Sequence, residues 1–405
     1  MVGPRVSEVT TDAARRLGPS AGASLSPGPA PVRGMSWRDA FAAWRDRLVA
    51  NHRFQRWAAG FWLTRPIARR RAAELFDLVA GFVYTQVLAA CVRLDLFEHL
   101  SRSGPQTVDE LARRGALSVR AMQRLLDAAV SIRLLEHRSA GRYGLGPLGA
   151  PMVGNDGLKA MIEHHAALYA DLRDPVALLR DEGAGSAMSA YWPYAAYPTS
   201  DALPEQRVAE YSALMTASQP MVIDEVLDAW GFHRHRRMLD VGGGEGRFVS
   251  AVAQRAPGLE LMLFDLPPVA ALARQRLAGL GLADRVRTFG GSFFDEPLPQ
   301  GADLVTLVRV LFDHDDEHAL AILKAAHAAL PSGGTVLVAE PMAQTPGAHA
   351  MGDAYFGFYL LAMGRGETRS VDDMRRLLTQ AGFIDFRAVK TRLPLQAGVV
   401  VARVA

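Results

Sequence analysis

Cysteine is almost missing from this chain: Cys91 is the single example among 405 residues. An internal disulfide is therefore impossible, which fits a reducing compartment, and a cysteine-built zinc site is ruled out. A large excess of one charge is also missing, the formal net charge being +3, although the arginines are unevenly placed. No apolar run reads as long enough to span a membrane. The longest candidate, 75–92, is interrupted by Asp77, Thr85 and Gln86 and reads as a buried helix. The N-terminus lacks the apolar core of a signal peptide. The expected location is cytoplasmic, with peripheral contact at the inner membrane as a finer expectation. What is present is 49% hydrophobic and 21% charged residues, enough for a large core spread over two or three domains.

One stretch organises the rest. Residues 238–246 read Met-Leu-Asp-Val-Gly-Gly-Gly-Glu-Gly, an apolar run ending in an acid and then a glycine-rich turn. Glycines let a turn bend sharply and bring backbone N–H groups close to a ligand. Residues 247–256 read as a helix whose N-terminus points at that ligand. A second acid, Asp265, ends the next apolar run, where an acid can take both hydroxyls of a ribose. A dinucleotide site would prefer GxGxxG, but here the glycines fall at 242, 244 and 246. Asp240 suits a cationic ligand end, such as the amino group of S-adenosylmethionine, and suits a pyrophosphate badly. The reading is S-adenosylmethionine, with NAD and a ligand-free turn as alternatives.

Residues 1–71 read as a disordered leader, rich in Gly, Pro, Ala and Ser to about residue 34, followed by a basic, aromatic segment. Met35 is a candidate for the true start. Phe54, Trp57 and Phe61 share a helical face beside Arg53 and Arg56, and Pro66 breaks the pattern before Arg69, Arg70 and Arg71. This segment either lies on a membrane surface or packs on a neighbouring domain. Residues 72–150 read as a winged helix: two helical patterns over 72–100, a capping box from Thr107 to Glu110, a helix over 118–130, and two wing strands. The helix in the recognition position offers only Arg120, Gln123 and Arg124 beside an apolar core face, so no nucleic-acid partner is expected. Residues 151–221 read as a mostly helical connection. Its aromatic loop, Tyr191, Trp192, Pro193, Tyr194 and Tyr197, either walls a pocket or simply packs.

Over 222–405 strands and helices alternate. Strands are expected at 237–241, 259–264, 285–289, 303–310, 334–340, 384–391 and 398–404, with helices at 267–279, 316–330 and 371–381. The fold class is α/β, a mostly parallel Rossmann-like sheet with ligands at the strands' carboxyl ends. Asp240, Asp265, Arg309 and Glu340 all fall at or near those ends.

At this point a family resemblance appears. Residues 72–405 resemble the small-molecule O-methyltransferases of the caffeic-acid and acetylserotonin type. The matching motifs are 239–246, Phe264-Asp-Leu-Pro267, Gly291-Ser-Phe-Phe294, the run 311–317, Ala339-Glu340 and Ala381-Gly-Phe383. Within the family the chain is similar to bacterial enzymes of carotenoid synthesis that act on hydroxyneurosporene or demethylspheroidene. That narrower likeness rests on 76–84, 354–364 and 393–396. The resemblance implies a seven-stranded methyltransferase domain, preceded by a mainly helical winged-helix domain that makes a homodimer. It implies S-adenosylmethionine as cofactor and no metal. The implied cofactor set is Asp240, Gly242, Gly243, Gly244, Asp265, Leu266, Ser292, Phe293 and Arg309, with the ribose on Asp265 and the adenine between Ser292 and Phe293. The family usually has Asp where Ser292 stands.

The family's general base is the first residue of a His-Asp-Trp motif, which here reads Phe312-Asp313-His314. Glu340 matches the acid that orients the base. The second such acid falls on Thr368, beside Glu367. Methyl transfer to oxygen is an in-line displacement in which the protein mainly supplies alignment and desolvation. A phenol is within reach of a histidine base, whereas an aliphatic tertiary alcohol is a far weaker acid and loses its proton during or after transfer. A hydroxycarotenoid acceptor therefore tolerates Phe312. His314 is the nearest replacement base, and its alternative is a solvated residue at a helix start. The catalytic candidates are His314 and Glu340. A long apolar acceptor needs a channel, and the stripe 351–363 supplies Tyr355, Phe356, Tyr359 and Met363, which otherwise read as core. The expected function is methylation of the 1-hydroxyl of an acyclic hydroxycarotenoid. The alternatives are a phenolic or polyketide acceptor, and a non-catalytic relative that binds the cofactor.

Overall fold

The computed structural model describes residues 36–191, 219 and 222–405. The leader, Met35 and the loop residues Trp192, Pro193, Tyr194 and Tyr197 lie outside the described residues, as does the side chain of Tyr191. Two compact units divide between Val83 and Tyr84.

The first unit is helical. Ser36 caps α1 (Trp37–Ala50) by accepting from the Asp39 N–H, and Asn51 caps α2 (His52–Gly60) by accepting from Arg53 and Phe54. The rings of Phe54, Trp57 and Phe61 run along one face, 5.6 and 5.1 Å between successive centroids. Pro66 is the second residue of α3 (Arg65–Arg93), so it opens a helix where a break was expected. A proline in the first turn loses no intrahelical hydrogen bond.

A second expectation also fails. The stretch read as a buried helix is largely uncovered: Leu75, Phe76, Leu78 (82% exposed), Val79 and Phe82 (70%) face outward. Only Ala89 and Cys91 of α3 are buried. By length and composition α3 is apolar enough to cross a membrane, with a mean hydropathy of 1.8 over its most apolar window. Asp77, Thr85 and Gln86 interrupt the run but do not lower its average below that of a span. Periodicity shows that a helix is apolar; it does not show whether the covering surface belongs to the same chain.

The second unit takes in the end of α3 from Tyr84 and continues with α4 (Leu96–Ser103), α5 (Val108–Arg114) and α6 (Val119–Ser131) around a small antiparallel sheet. Its strands are β1 (Gln106–Thr107), β2 (Leu135–Arg138) and β3 (Arg142–Leu145), in the order β1-β3-β2. The capping box is present, with Glu110 and Thr107 bonding each other's backbone N–H. α6 turns Met122, Leu126 and Ala129 into the core. Gln123, on the same helix, donates to Asp127 at 2.7 Å and Tyr143 at 2.6 Å. α7 (Asp156–Asp171), α8 (Pro175–Arg180) and α9 (Ala187–Tyr191) follow, and Asp171 accepts from the N–H groups at the start of α9.

The large sheet has seven strands: β4 (Arg237–Val241), β5 (Glu260–Asp265), β6 (Val286–Gly290), β7 (Leu304–Val308), β8 (Thr335–Glu340), β9 (Ile384–Val389) and β10 (Gly398–Arg403). Their order is β6-β5-β4-β7-β8-β10-β9, and only β10 runs antiparallel to its neighbours. Each strand begins and ends within two residues of its expected place. β7 and β8 are buried along their whole length, which is why they read as mainly apolar runs without an alternating polar face. One core layer joins Leu239, Val305, Leu307 and Val336 to the helices Asp316–Ala329 and Val371–Gln380; the other joins Met238, Leu261, Leu263 and Leu337 to Arg247–Arg255 and Pro267–Gly279. Each fully buried aliphatic side chain contributes about 1.5–3 kcal/mol. The order of the strands reverses around β4, so β4, β5 and β7 deliver their carboxyl ends to one crevice.

Candidate cofactor and methyl-transfer site

The turn after β4 has the backbone that its glycines permit. Gly242 and Gly244 adopt φ of +68° and +56°, and a Cβ on Gly242 would stand 2.8 Å from a methyl of Val310. The N–H of Gly244 donates to Oδ2 of Asp265 at 2.7 Å, and the Leu266 N–H donates to Oδ1. Gly291 donates to the Asp265 carbonyl, which sets Ser292 and Phe293 beside the end of β5. Thr306 donates to Oδ1 of Asp240, whose Oδ2 is buried with no hydrogen-bond partner among the described residues. Burial raises the Asp240 carboxyl to about 7 against the Thr306 bond, and the charge of Asp265 adds to the rise. Burial likewise raises Asp265 to about 6, held back by its two N–H donors.

A buried carboxylate oxygen without a partner, beneath a turn shaped for close approach, fits a cationic ligand end. A second carboxylate at the crevice fits ribose hydroxyls. The expected cofactor residues on β4, β5 and the loops after β5 and β6 thus come together. Arg309 stands at the end of β7 in a left-handed conformation (φ 58°), uncommon for a non-glycine residue and typical of functional sites.

Across the crevice, Phe312 is buried and its N–H donates to Oε2 of Glu340 at 3.1 Å. Glu340 is fully buried and its other oxygen has no partner among the described residues; burial raises the carboxyl to about 7 despite Arg369 and the backbone donors. Asp313 is held well above the usual carboxylate range by burial, with Arg309 opposing and Glu340 adding to the rise. His314 goes elsewhere: its ring lies edge-on to Phe293 and Phe294, at 5.8 and 5.7 Å, and near His318. Burial, then His318, brings its pKa down to about 4. The structure therefore joins Glu340 to the Phe312 backbone and joins His314 to Phe293. Glu367 is exposed, and its N–H donates to the Phe312 carbonyl.

The acceptor candidates lie on a π-helical segment, Ala350–Phe356, continued by the α-helix Gly357–Met363. Phe356 meets Phe312 edge-on at 6.3 Å, and Tyr355 meets Phe356 at 4.9 Å. Tyr359 and Met363 are buried. Sequence reasoning missed what touches this stripe: His165 Nε2 is 2.7 Å from the Tyr355 hydroxyl, and His164 Nε2 is 3.1 Å from that of Tyr359. Adjacent histidines on a helix were the only available signal, since their partners lie about 190 residues on in the chain.

A mostly parallel seven-stranded sheet with one antiparallel strand near its edge, and a glycine turn tied to an acid at the next strand end, together define a Rossmann-like methyltransferase. The comparisons carry this further. Residues 169–384 match the model of an O-methyltransferase domain, and residues 76–154 that of an O-methyltransferase dimerisation domain. The chain is 44% identical to the demethylspheroidene O-methyltransferase of Cereibacter sphaeroides, over 88% of this chain and 93% of that one. It is 38% identical to the protein of the same name from Rhodobacter capsulatus, over 84% of each. Among solved structures, the S-adenosylmethionine-dependent methyltransferase SibL is similar with a TM-score of 0.71 and 26% identity, over 82% of this chain and 98% of that one. The chain belongs to the family of S-adenosylmethionine-dependent O-methyltransferases and carries that family's dimerisation domain.

Proposed function

We propose that this enzyme methylates the 1-hydroxyl of an acyclic hydroxycarotenoid of the demethylspheroidene or hydroxyneurosporene type. The observation that carries the reading is Phe312, a buried phenyl ring where the family places its histidine base. A site without that base suits an aliphatic alcohol, whose proton leaves during or after methyl transfer, better than a phenol. The names of the two relatives support the same acceptor. When bound, S-adenosylmethionine supplies a methyl group already activated on a sulfonium. In this proposal Asp240 and Gly242–Gly244 hold the methionine end, Asp265 and Leu266 the ribose, Ser292 and Phe293 the adenine, and Arg309 borders the cofactor. Tyr355, Phe356, Tyr359 and Met363 line the path of the acceptor. Expression in a host that accumulates the hydroxycarotenoid tests the proposal: the pigment should be converted to its methyl ether.

For proton removal, one reading is His314 as the nearest replacement for the family's base, aided by Glu340, which matches the family's orienting acid. A second reading, alignment without His314, is favoured by the packing of that ring against Phe293 and Phe294 and by its lowered pKa.

We infer the division of labour along the chain as follows. Residues 72–150 form the dimerisation domain, and a second copy covers the exposed face of α3 that overlaps the matched range. Residues 151–221 connect and wall the acceptor, and 222–405 form the methyltransferase domain. The basic part of 1–71 touches a membrane from the cytoplasmic side, where a lipophilic acceptor resides. Within 36–71 nine arginines face only two acids, and four of the chain's six tryptophans are found there. Trp37 (76%) and Trp62 (70%) are widely exposed, as interfacial aromatics beside cationic groups are.

A further inference from the structure

Phe312 leaves open which group meets the acceptor's hydroxyl, and the geometry around it names one. His164 and His165, consecutive on α7, each bond a tyrosine hydroxyl on the helix opposite. The two pairs differ in setting. Tyr359 is buried, whereas Tyr355 is half-buried. Tyr355 lies in the π-helical segment, a distortion that recurs at functional sites because it redirects side chains. Its ring meets Phe356, which meets Phe312, and the Arg309 guanidinium carbon is 5.9 Å from the Phe312 ring centre. Tyr355 thus stands in the same cluster as Phe312, one ring away from the place the family's base would occupy.

We propose that Tyr355, held by His165, receives the proton of the acceptor hydroxyl in place of the base that Phe312 has replaced. The proposal rests on the enzyme's being a hydroxyl methyltransferase and adds the residues that take up the proton. With the hydrogen of His165 on Nδ1, its Nε2 accepts from the Tyr355 hydroxyl, which leaves the phenol oxygen's lone pairs facing the acceptor. The acceptor oxygen forms its bond to the methyl carbon as the S–CH3 bond breaks and that electron pair returns to sulfur. The O–H bond of the acceptor then breaks, its proton passes to the Tyr355 oxygen, and the proton of Tyr355 passes to His165 Nε2. His165 finally returns one proton to solvent. Burial lowers the pKa of His165, so the ring is neutral and ready to accept at neutral pH. An alkylated alcohol oxygen that still carries its proton is a far stronger acid than an imidazolium, so even a weakened histidine takes it. Burial also raises Tyr355 to about 12, with Arg309 opposing, so the phenol stays protonated until the relay moves.

The test is single-turnover methyl transfer with cofactor and acceptor saturating, on whichever hydroxyl acceptor the wild-type enzyme methylates. Tyr355→Phe removes one oxygen and keeps the ring, and His165→Gln keeps a polar side chain in place; titration with cofactor verifies the fold of each. Both should lose rate by a factor on the order of a hundred, with KM for the acceptor and cofactor affinity within about threefold. The double variant should be no slower than the slower single one, because the two act as a unit. His164→Gln, which alters the neighbouring histidine outside this pair, should stay within about threefold of wild type. A Tyr355→Phe enzyme near wild-type rate, losses that multiply in the double variant, or an equal loss in His164→Gln would each overturn the proposal. A wild-type enzyme that methylates only phenols would end the carotenoid reading while leaving this test intact.

Discussion

The backbone N–H of Gly244 and the Oδ2 of Asp265 are 2.7 Å apart, which ties the glycine-rich turn to the acid at the end of the neighbouring strand. The turn and the acid are therefore one structural unit, and each positions the other. Asp265→Ala removes the charge-assisted bonds proposed for the ribose and also frees the Gly244 N–H. Hydrogen bonds to charged groups contribute about 1.5–3 kcal/mol, so S-adenosylmethionine affinity should fall roughly 10–100-fold. Calorimetry that returns unchanged affinity removes Asp265 from the site.

Cofactor binding should depend on pH through the two raised acids. Unfolded, both titrate near about 4; folded, Asp240 titrates at about 7 and Asp265 at about 6. Between those limits the folded protein holds protons the unfolded chain has lost, so their contribution to stability is present at low pH and is lost as pH rises through 6 to 7. A cationic cofactor favours the ionised acids and reverses that loss. The thermal shift on adding S-adenosylmethionine should therefore be larger at about pH 8 than at about pH 5.5. A shift that is flat or falls with pH contradicts the placement of the cation beside these acids.

Much of this crevice was legible in the sequence, for local reasons. The 238–246 motif, the acid at 265 and the buried runs of β7 and β8 announce themselves through spacing and hydropathy, and the seven strands lie where alternation places them. What was illegible depends on distant partners or on backbone shape. Leu78 and Phe82 read as core because an apolar helix pattern does not say whose surface covers it. The bond between His165 and Tyr355 spans 190 positions. The π segment over Ala350–Phe356 and the left-handed Arg309 have no signature in residue type. His314 could be placed near the site, but its turn toward Phe293 depends on the extended backbone just before the helix that Asp315 caps.

His314→Ala separates the two readings of proton removal. If His314 is the base, turnover should fall by a factor on the order of a hundred or more, with cofactor affinity intact. If the ring only packs against Phe293 and Phe294, the loss should be a few-fold at most and accompanied by weaker cofactor binding. The expected outcome is the second, measured as single-turnover rate beside a cofactor titration.

The basic aromatic segment should bind anionic vesicles in a salt-sensitive way. Screening at an ionic strength of about 0.5 M should release the protein, and deletion of residues 1–71 should abolish binding while leaving cofactor affinity unchanged. Equal vesicle binding by the truncated protein assigns those residues to packing instead.

The most direct measurement is transfer of an isotopically labelled methyl group from S-adenosylmethionine to a purified 1-hydroxycarotenoid, followed by mass spectrometry. The account predicts one labelled methyl per acceptor, carried as an ether at the 1-hydroxyl, with far slower labelling of simple phenols. Efficient labelling of phenols with none on the hydroxycarotenoid would contradict it.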